Sequence, residues 1–303
     1  MNVLVTGGAG FIGHHLILKL LAQGHECSFI DNRVTGATQQ RARRELHLPN
    51  VPFSSHMIGD NMDCTDHYFR IYQPEAVIHL AGPASSRDMN EDSLASAGSE
   101  ILELLLCAKK YKVKRFVYIS SSMVYGNFSD SVTENSPTNP VSKYGQLKLA
   151  CEDLVKSTCT FFNIEYNIIR PCSVYGIRDN ANRVVGKFFA DAFNGKPLIV
   201  NGATETLDFT HVDDLTDGII AVVTSKAYNE TFNISRSRSR RLVDAAQLII
   251  SLVGNGSPKI ENATYTRGKL NIDKAQEWLG FHPTIDIEQG FKECYEHFKS
   301  VLR

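Results

Sequence analysis

The chain has no excess of charge of either sign. Its 32 Lys and Arg stand against 33 Asp and Glu, a formal net charge of -1, so no bulk field draws it to nucleic acid or to an anionic membrane. It has no apolar run approaching the roughly 18–20 residues that a membrane-spanning helix needs. Met1 leads straight into an apolar run, leaving no room for a signal peptide. The seven cysteines (27, 64, 107, 151, 159, 172 and 294) form no Cys-x-x-Cys pair. An odd, scattered set predicts free thiols in a reducing, cytoplasmic setting. The Asn-x-Ser/Thr sequons at Asn127, Asn229, Asn233 and Asn262 are then coincidental. No His, Cys and Asp grouping has metal-ligand spacing, so no metal is expected. There is no internal repeat and no long linker.

What is present fits an ordinary globular composition, 43% hydrophobic and 21% charged. The 303 residues are enough for a large core and about two domains. Asn2 to Val5 is a short apolar run consistent with a buried parallel strand. Phe11 to Ala22 has helical apolar spacing at Phe11, Ile12, Leu16, Leu20 and Leu21. Gly7, Gly10 and Gly13 lie at and beyond the turn between them. In this context the first glycine permits a tight turn, the second lets backbone approach a pyrophosphate, and the third lets helix and strand pack closely. The helix N-terminus, at Phe11 and Ile12, then offers N–H groups and a positive dipole end to phosphates.

A second apolar run, Cys27 to Ile30, ends in Asp31 and Asn32. An acid at this strand tip accepts hydrogen bonds from ribose hydroxyls and repels a 2′-phosphate, which favours NAD over NADP. Arg33 beside it argues the other way. Asp60, with Asn61 after it, follows Met57-Ile58 and is placed to bond the adenine amino group. Ala76 to Leu80 reads as another strand opening into Ala81-Gly82-Pro83, where small residues let backbone approach a cofactor. Arg115 to Ile119 is the next strand, with Ser120-Ser121-Ser122 at its carboxyl end. Ligands in open α/β sheets bind at such ends.

The most informative pair is Tyr144 and Lys148. Tyr-x-x-x-Lys puts a phenol and an ammonium on one helix face. A neighbouring cation favours a phenolate and makes a usable base near neutral pH.

Together these residues resemble the extended short-chain dehydrogenase/reductase family, especially its nucleotide-sugar epimerases and dehydratases. The matching segments are Thr6-Gly-Gly-Ala-Gly-Phe-Ile-Gly13, Asp31-Asn32, His79-Leu-Ala81, Ser120-Ser-Ser-Met-Val-Tyr-Gly126 and Tyr144-x-x-x-Lys148. Arg170-Pro-Cys-Ser-Val-Tyr-Gly176, Asp208-Phe-Thr-His-Val-Asp-Asp214 and Leu279-Gly-Phe-His-Pro283 continue them in the family's order across almost the whole chain. The resemblance implies bound NAD, with Tyr144 as base toward a sugar hydroxyl at C4. Lys148 would hold the nicotinamide ribose and Ser121 would hydrogen-bond the reacting oxygen, with Ser122 beside it.

The resemblance also bears on the reaction. In the 4,6-dehydratases the two residues after the catalytic hydroxyl are acidic, and a Glu lies there in the decarboxylases. The fucose-forming epimerase-reductases carry a Cys at the second position. Here they are Ser122 and Met123, neither able to act as a general acid or base in that way. Simple epimerisation needs no extra acid.

The substrate end departs from the pattern. Many relatives have Arg immediately before Asp-Phe to clamp the diphosphate; here it is Leu207. Their Asn-Val-Tyr-Gly becomes Ser173-Val-Tyr-Gly176, and a mid-helix Asn becomes Ala97. A diphosphate still needs cations; Arg178 and Arg267 lead the candidates, followed by Lys187 and Arg236. The run Ser235 to Arg241 reads as a solvated loop before a helix from Leu242. It is too short, and lacks the interleaved aromatics, for nucleic-acid binding.

The expected architecture is α/β, a Rossmann-type doubly wound parallel sheet with a smaller, mixed α/β C-terminal substrate-binding domain. Residues 1–171 and about 206–232 would bind NAD. Residues about 172–205 and 233–303 would bind the nucleotide sugar, with the sugar in the cleft. Long helices are expected near Asp92–Tyr111 and Val141–Phe162, which relatives use for a homodimeric four-helix bundle. Leu102, Leu105, Leu106, Tyr111, Leu149 and Leu154 suit either that bundle or the core. The leading function is NAD-dependent C4 epimerisation of a UDP-sugar through a transient 4-keto intermediate. A nucleotide-sugar reductase, dehydrogenase or dehydratase, and a non-catalytic NAD-binding regulator, are the alternatives.

Overall fold

A computed structural model of the chain describes residues 1–32, 51–59, 62–83, 89–128, 131–179, 182–262 and 267–301. Arg33, Asp60 and Asn61 lie outside the described residues. Two compact units emerge. The first comprises 1–126, 138–170 and 216–232; the second comprises 127–137, 171–215 and 233–303.

The first unit is organised by one sheet of order β11-β6-β5-β4-β1-β2-β3. Its strands are β1 (Asn2–Thr6), β2 (Glu26–Ile30), β3 (Phe53–Ser54), β4 (Ala76–His79), β5 (Arg115–Ile119), β6 (Glu165–Pro171) and β11 (Glu230–Ile234). From β6 through β5, β4, β1 and β2 to β3 every pairing is parallel. Parallel neighbours need crossovers, which the helices supply. These are α1 (Phe11–Ala22), α2 (Met62–Tyr72), α3 (Glu91–Lys110) and α4 (Lys143–Phe162). The order 3-2-1-4-5-6 is that of a Rossmann fold, and it reverses between β1 and β4. Central strands covered on both faces read as unbroken apolar runs. Accordingly Val3, Leu4, Val5, Val77, Ile78, Phe116 and Val117 are fully buried.

Helix α4 begins two residues after the expected Val141. Ser142 caps it, its hydroxyl accepting from Gly145 N–H at 3.1 Å, the usual N-cap arrangement. The leucines that periodicity could not assign now separate. Leu105 is buried, Tyr111 and Leu154 pack against the core, and Leu102 and Leu106 are exposed one turn apart on α3.

The second unit holds β7 (Val174–Tyr175), α5 (Val184–Phe193), β8 (Pro197–Asn201), β9 (Thr206–Asp208), β10 (Thr210–His211), the start of α6 (Val212–Thr224), β12 (Ser239–Arg241), α7 (Leu242–Val253), β13 (Ser257–Glu261), α8 (Asp273–Leu279) and α9 (Ile287–Val301). Three two-stranded pairings, β10-β7, β12-β9 and β13-β8, surround a core that includes Phe188, Phe189, Phe209, Leu242, Ile249 and Phe291. Residues 127–137 and 206–215, read from the sequence as part of the first unit, cluster with the second. Bridges from Phe128 to Arg267 and from Val132 to Leu270 hold the former, and the β9–β12 ladder holds much of the latter.

Candidate active site

The reversal point brings Thr6 and His79 together. Thr6 Oγ1 lies 2.7 Å from His79 Nδ1 and accepts from Ala81 N–H at 3.2 Å. Burial first, then the Lys148 charge, pulls His79 down to about 3, so this imidazole is neutral and structural. Gly7 has φ +72, a value that side-chain-bearing residues rarely adopt, and a Cβ there would meet Ala81 N at 3.0 Å. A Cβ on Gly13 would stand 2.3 Å from Gly7 O, so α1 rests directly on the turn. Helix α1 has no side-chain cap at Gly10 and no acid in its first turn. Its positive end is therefore left for an external anion. Asp31 is buried, and its Oδ2 accepts from Ala9 N–H at 2.9 Å, which places this carboxylate at the glycine turn. Gly82 is exposed, with nothing within 4 Å of where its Cβ would be. A glycine turn at the uncapped start of α1, a buried carboxylate at that turn and an open Ala81-Gly82 loop make a cradle that fits a dinucleotide.

The catalytic candidates gather at the ends of β5 and α4. Ser121 takes extended backbone and caps a 3-10 turn, Ser122–Tyr125, its hydroxyl accepting from Met123 N–H at 3.2 Å. Ser122 is buried and Ser121 is half-buried. Tyr144 and Lys148 are 8% and 7% exposed. Lys148 Nζ donates to Ile119 O at 2.9 Å and lies 5.8 Å from the Tyr144 ring centroid and 5.0 Å from that of Tyr118. Burial pushes the Tyr118 phenol well above its ordinary value, so Tyr118 does not compete as a base. Gly145 sets how closely α4 approaches the serine turn. A Cβ there would lie 2.5 Å from Met123 O and 2.9 Å from Pro140 Cβ. A small pocket reaches Lys148 and is lined by His79, Ala81, Gly82, Ala97, Glu100 and Cys151, among others.

Two charged residues here went unassigned in the sequence. Glu152 follows Lys148 by four on α4 and is fully buried, and Arg170 at the end of β6 pairs with it at 2.6 Å. Their signals were the spacing Tyr-x3-Lys-x3-Glu and the Arg170-Pro segment, but only the tertiary fold pairs them.

The second unit treats its cations differently. Arg236 pairs with Asp286 at 2.7 Å and also donates to Pro283 O; Arg238 lies 3.5 Å from Asp286, Arg240 2.6 Å from Glu288 and Arg241 2.7 Å from Asp244. The basic run is in part the expected solvated loop, with the Arg238 and Arg241 side chains both 57% exposed, but it is paired. It ends in strand β12 and is neutralised by carboxylates of its own unit. Lys187 pairs with Asp191 at 3.0 Å. Arg178 is half-buried with φ +71, and Arg267 is half-buried with its carbonyl accepting from Thr206. Ser173 is half-buried beside buried Cys172. Leu207 is 3% exposed within the apolar core, so this position serves packing. The Asp214 carboxylate, in the first turn of α6, accepts from Thr284 N–H at 2.9 Å and Ile285 N–H at 3.0 Å.

Residues 3–235 match the sequence model of the NAD dependent epimerase/dehydratase family. The chain belongs to that family. A relative named putative UDP-glucose 4-epimerase, from Methanocaldococcus jannaschii, is 30% identical, over 99% of each chain. UDP-glucuronic acid decarboxylase 1 of Xenopus tropicalis is 29% identical, over 99% of this chain and 73% of that one. The crystal structure of a UDP-glucuronic acid 4-epimerase from Bacillus cereus, in complex with UDP-glucuronic acid and NAD, superposes with a TM-score of 0.88 at 27% identity, over 99% of this chain and 100% of that one. The cofactor of this NAD-dependent enzyme family thus agrees with the cradle described above. Among the described residues no helix is long and apolar enough to cross a membrane.

Proposed function

We propose that the protein is an NAD-dependent nucleotide-sugar epimerase that inverts C4 of a UDP-sugar through a transient 4-keto intermediate. The observation that carries this reading is the pairing of an assembled Ser121, Tyr144 and Lys148 site with Ser122 and Met123 in the 3-10 turn. Elimination of water would need an acid and a base beyond Tyr144, and neither Ser122 nor Met123 supplies one.

When bound, NAD would supply a two-electron oxidation at C4 and its reversal, with inversion arising because hydride is returned to the opposite face of the keto-sugar. The chain's own groups do the rest. The glycine turn and α1 would hold the pyrophosphate, Asp31 the adenosine ribose, and Lys148 the nicotinamide ribose. Ser121 hydrogen-bonds the C4 oxygen, and Tyr144 as phenolate takes the C4 hydroxyl proton and returns it to the same oxygen. The second unit holds the nucleotide sugar, with Arg178 and Arg267 as the leading diphosphate partners and Ser173 and Lys187 as further contacts. The chain assembles as a homodimer through α3 and α4, with exposed Leu102 and Leu106 on the contact face.

The relatives' names support an epimerase and also include a decarboxylase, so the reaction needs its own test. An NMR time course with catalytic NAD and a panel of UDP-, GDP-, CDP- and dTDP-sugars should yield a C4 epimer without net NADH. Accumulating NADH would favour a dehydrogenase. No product from any sugar, with NAD bound, would favour the non-catalytic reading.

A further inference from the structure

Glu152 has no part in the chemistry assigned above, yet it is a fully buried charge beside it. It follows Tyr144 and Lys148 at successive intervals of four on α4, so the three side chains rise from one helix face. Its Oε1 accepts from Ser120 Oγ at 2.5 Å and from Arg170 Nε at 2.9 Å. Its Oε2 accepts from Arg170 Nη2 at 2.6 Å and from Lys156 Nζ at 3.5 Å. Arg170, itself 4% exposed, donates from Nη1 to the Tyr125 hydroxyl at 3.0 Å and lies 4.9 Å from that ring's centroid.

Stability is a poor explanation for such a pair. Desolvating two charges offsets most of their attraction, and apolar residues of similar volume often hold a core as well or better. A bidentate carboxylate–guanidinium pair differs from apolar packing in fixing direction and plane. The groups it fixes here are the supports of the reacting side chains. Ser120 is the chain neighbour of Ser121 at the end of β5. Tyr125 closes the 3-10 turn that Ser121 caps. Glu152 stands two turns along the helix from Tyr144, and Arg170 anchors the set to the end of β6.

We propose that the Glu152–Arg170 ion pair is a positioning device that holds Ser121 and Tyr144 in mutual register. It rests on the assignment of Ser121, Tyr144 and Lys148 as the reacting groups. Neither Glu152 nor Arg170 takes up or delivers a proton; they act through the segments they tie together.

The test uses two variants of the full chain. Glu152→Leu with Arg170→Met removes both charges and leaves no lone buried ion. Ser120→Ala removes one hydrogen bond to the carboxylate. Thermal stability, NAD affinity, KM and kcat are measured with the panel sugar that the wild type turns over, and NAD-bound crystal structures are compared. The double variant should keep NAD affinity and KM within about threefold and lose about 10²-fold in kcat, the scale of a misplacement of about 1 Å. Ser121 should move relative to Tyr144. Ser120→Ala should lose about tenfold in kcat while staying folded, with the melting temperature lowered by only a few degrees for one lost charge-assisted hydrogen bond. Wild-type kcat and superposable side chains in the folded double variant overturn the proposal. If the double variant does not fold, wild-type kcat in Ser120→Ala overturns it alone. Tyr144→Phe separates the two levels. Turnover retained in that variant defeats the site assignment itself, whereas turnover lost there but retained in the double variant defeats only the positioning role.

Discussion

The candidate site of the first compact unit and the basic run of the second carry polar chemistry in different ways. In the first, the polar groups of the site converge: Ser120, Glu152 and Arg170 brace the serine turn, and Lys148 is held on the Ile119 carbonyl between two tyrosine rings. In the second unit, Arg183, Lys187, Arg236, Arg238, Arg240, Arg241 and Lys259 are among the described cations that pair with carboxylates of their own unit. On the proposed function, the first arrangement fixes where the reaction happens, and the second shapes the surface of the unit assigned to the sugar, whose choice would rest on positions that no short motif marks.

The comparison is tested most severely by Tyr144→Phe. Loss of a general base should lower kcat by about 10²–10⁴, or about 3–5 kcal/mol in activation free energy, with NAD still bound. Near-normal turnover would remove the contrast by removing the site. Next is Gly145→Val, whose side chain would collide with Met123 O and Pro140 Cβ. Pushing α4 off the serine turn should reduce kcat by about 10² and lower stability by about 1–3 kcal/mol through overpacking. A fall in stability with kcat intact would mean that the spacing between turn and helix does not matter.

On the other side of the comparison, Arg267→Ala and Arg178→Ala should each raise KM by about tenfold or more while kcat changes little, as expected for losing a charged hydrogen bond in binding. Unchanged KM in both would move the diphosphate partner elsewhere in the second unit. The smallest effect is expected from Asp31→Ala. It should weaken NAD binding by about tenfold and narrow the preference over NADP, read by titration with both cofactors. Unchanged NAD affinity would take Asp31 out of the site.

How much was legible follows from the same contrast. The strand, glycine turn and helix of residues 2–22 form one local unit, and β1 and α1 occupy nearly the span that the apolar pattern predicts. Tyr144 and Lys148 belong to one helix, so their meeting needs only its pitch. Arg170 and Glu152 meet only in the tertiary fold, from the end of β6 and the middle of α4, and nothing in a linear spacing reveals that. The arginine run is partly solvent-facing as read, but its ion pairs to Asp286 and Glu288, about fifty residues away in the chain, are not visible in its spacing. Leu207 read as a lost phosphate contact; its burial shows that the side chain is packed in the core. Leu102 and Leu105 shared one periodicity until the sheet decided which of them is covered.

The most direct test of a redox-neutral epimerase is the mass of the product formed by the wild-type protein from its nucleotide sugar, with absorbance of NADH followed in the same cuvette. An unchanged mass, a new C4 epimer and no accumulated NADH are predicted. A product lighter by one water or one carbon dioxide, or a stoichiometric rise in NADH, would contradict the account.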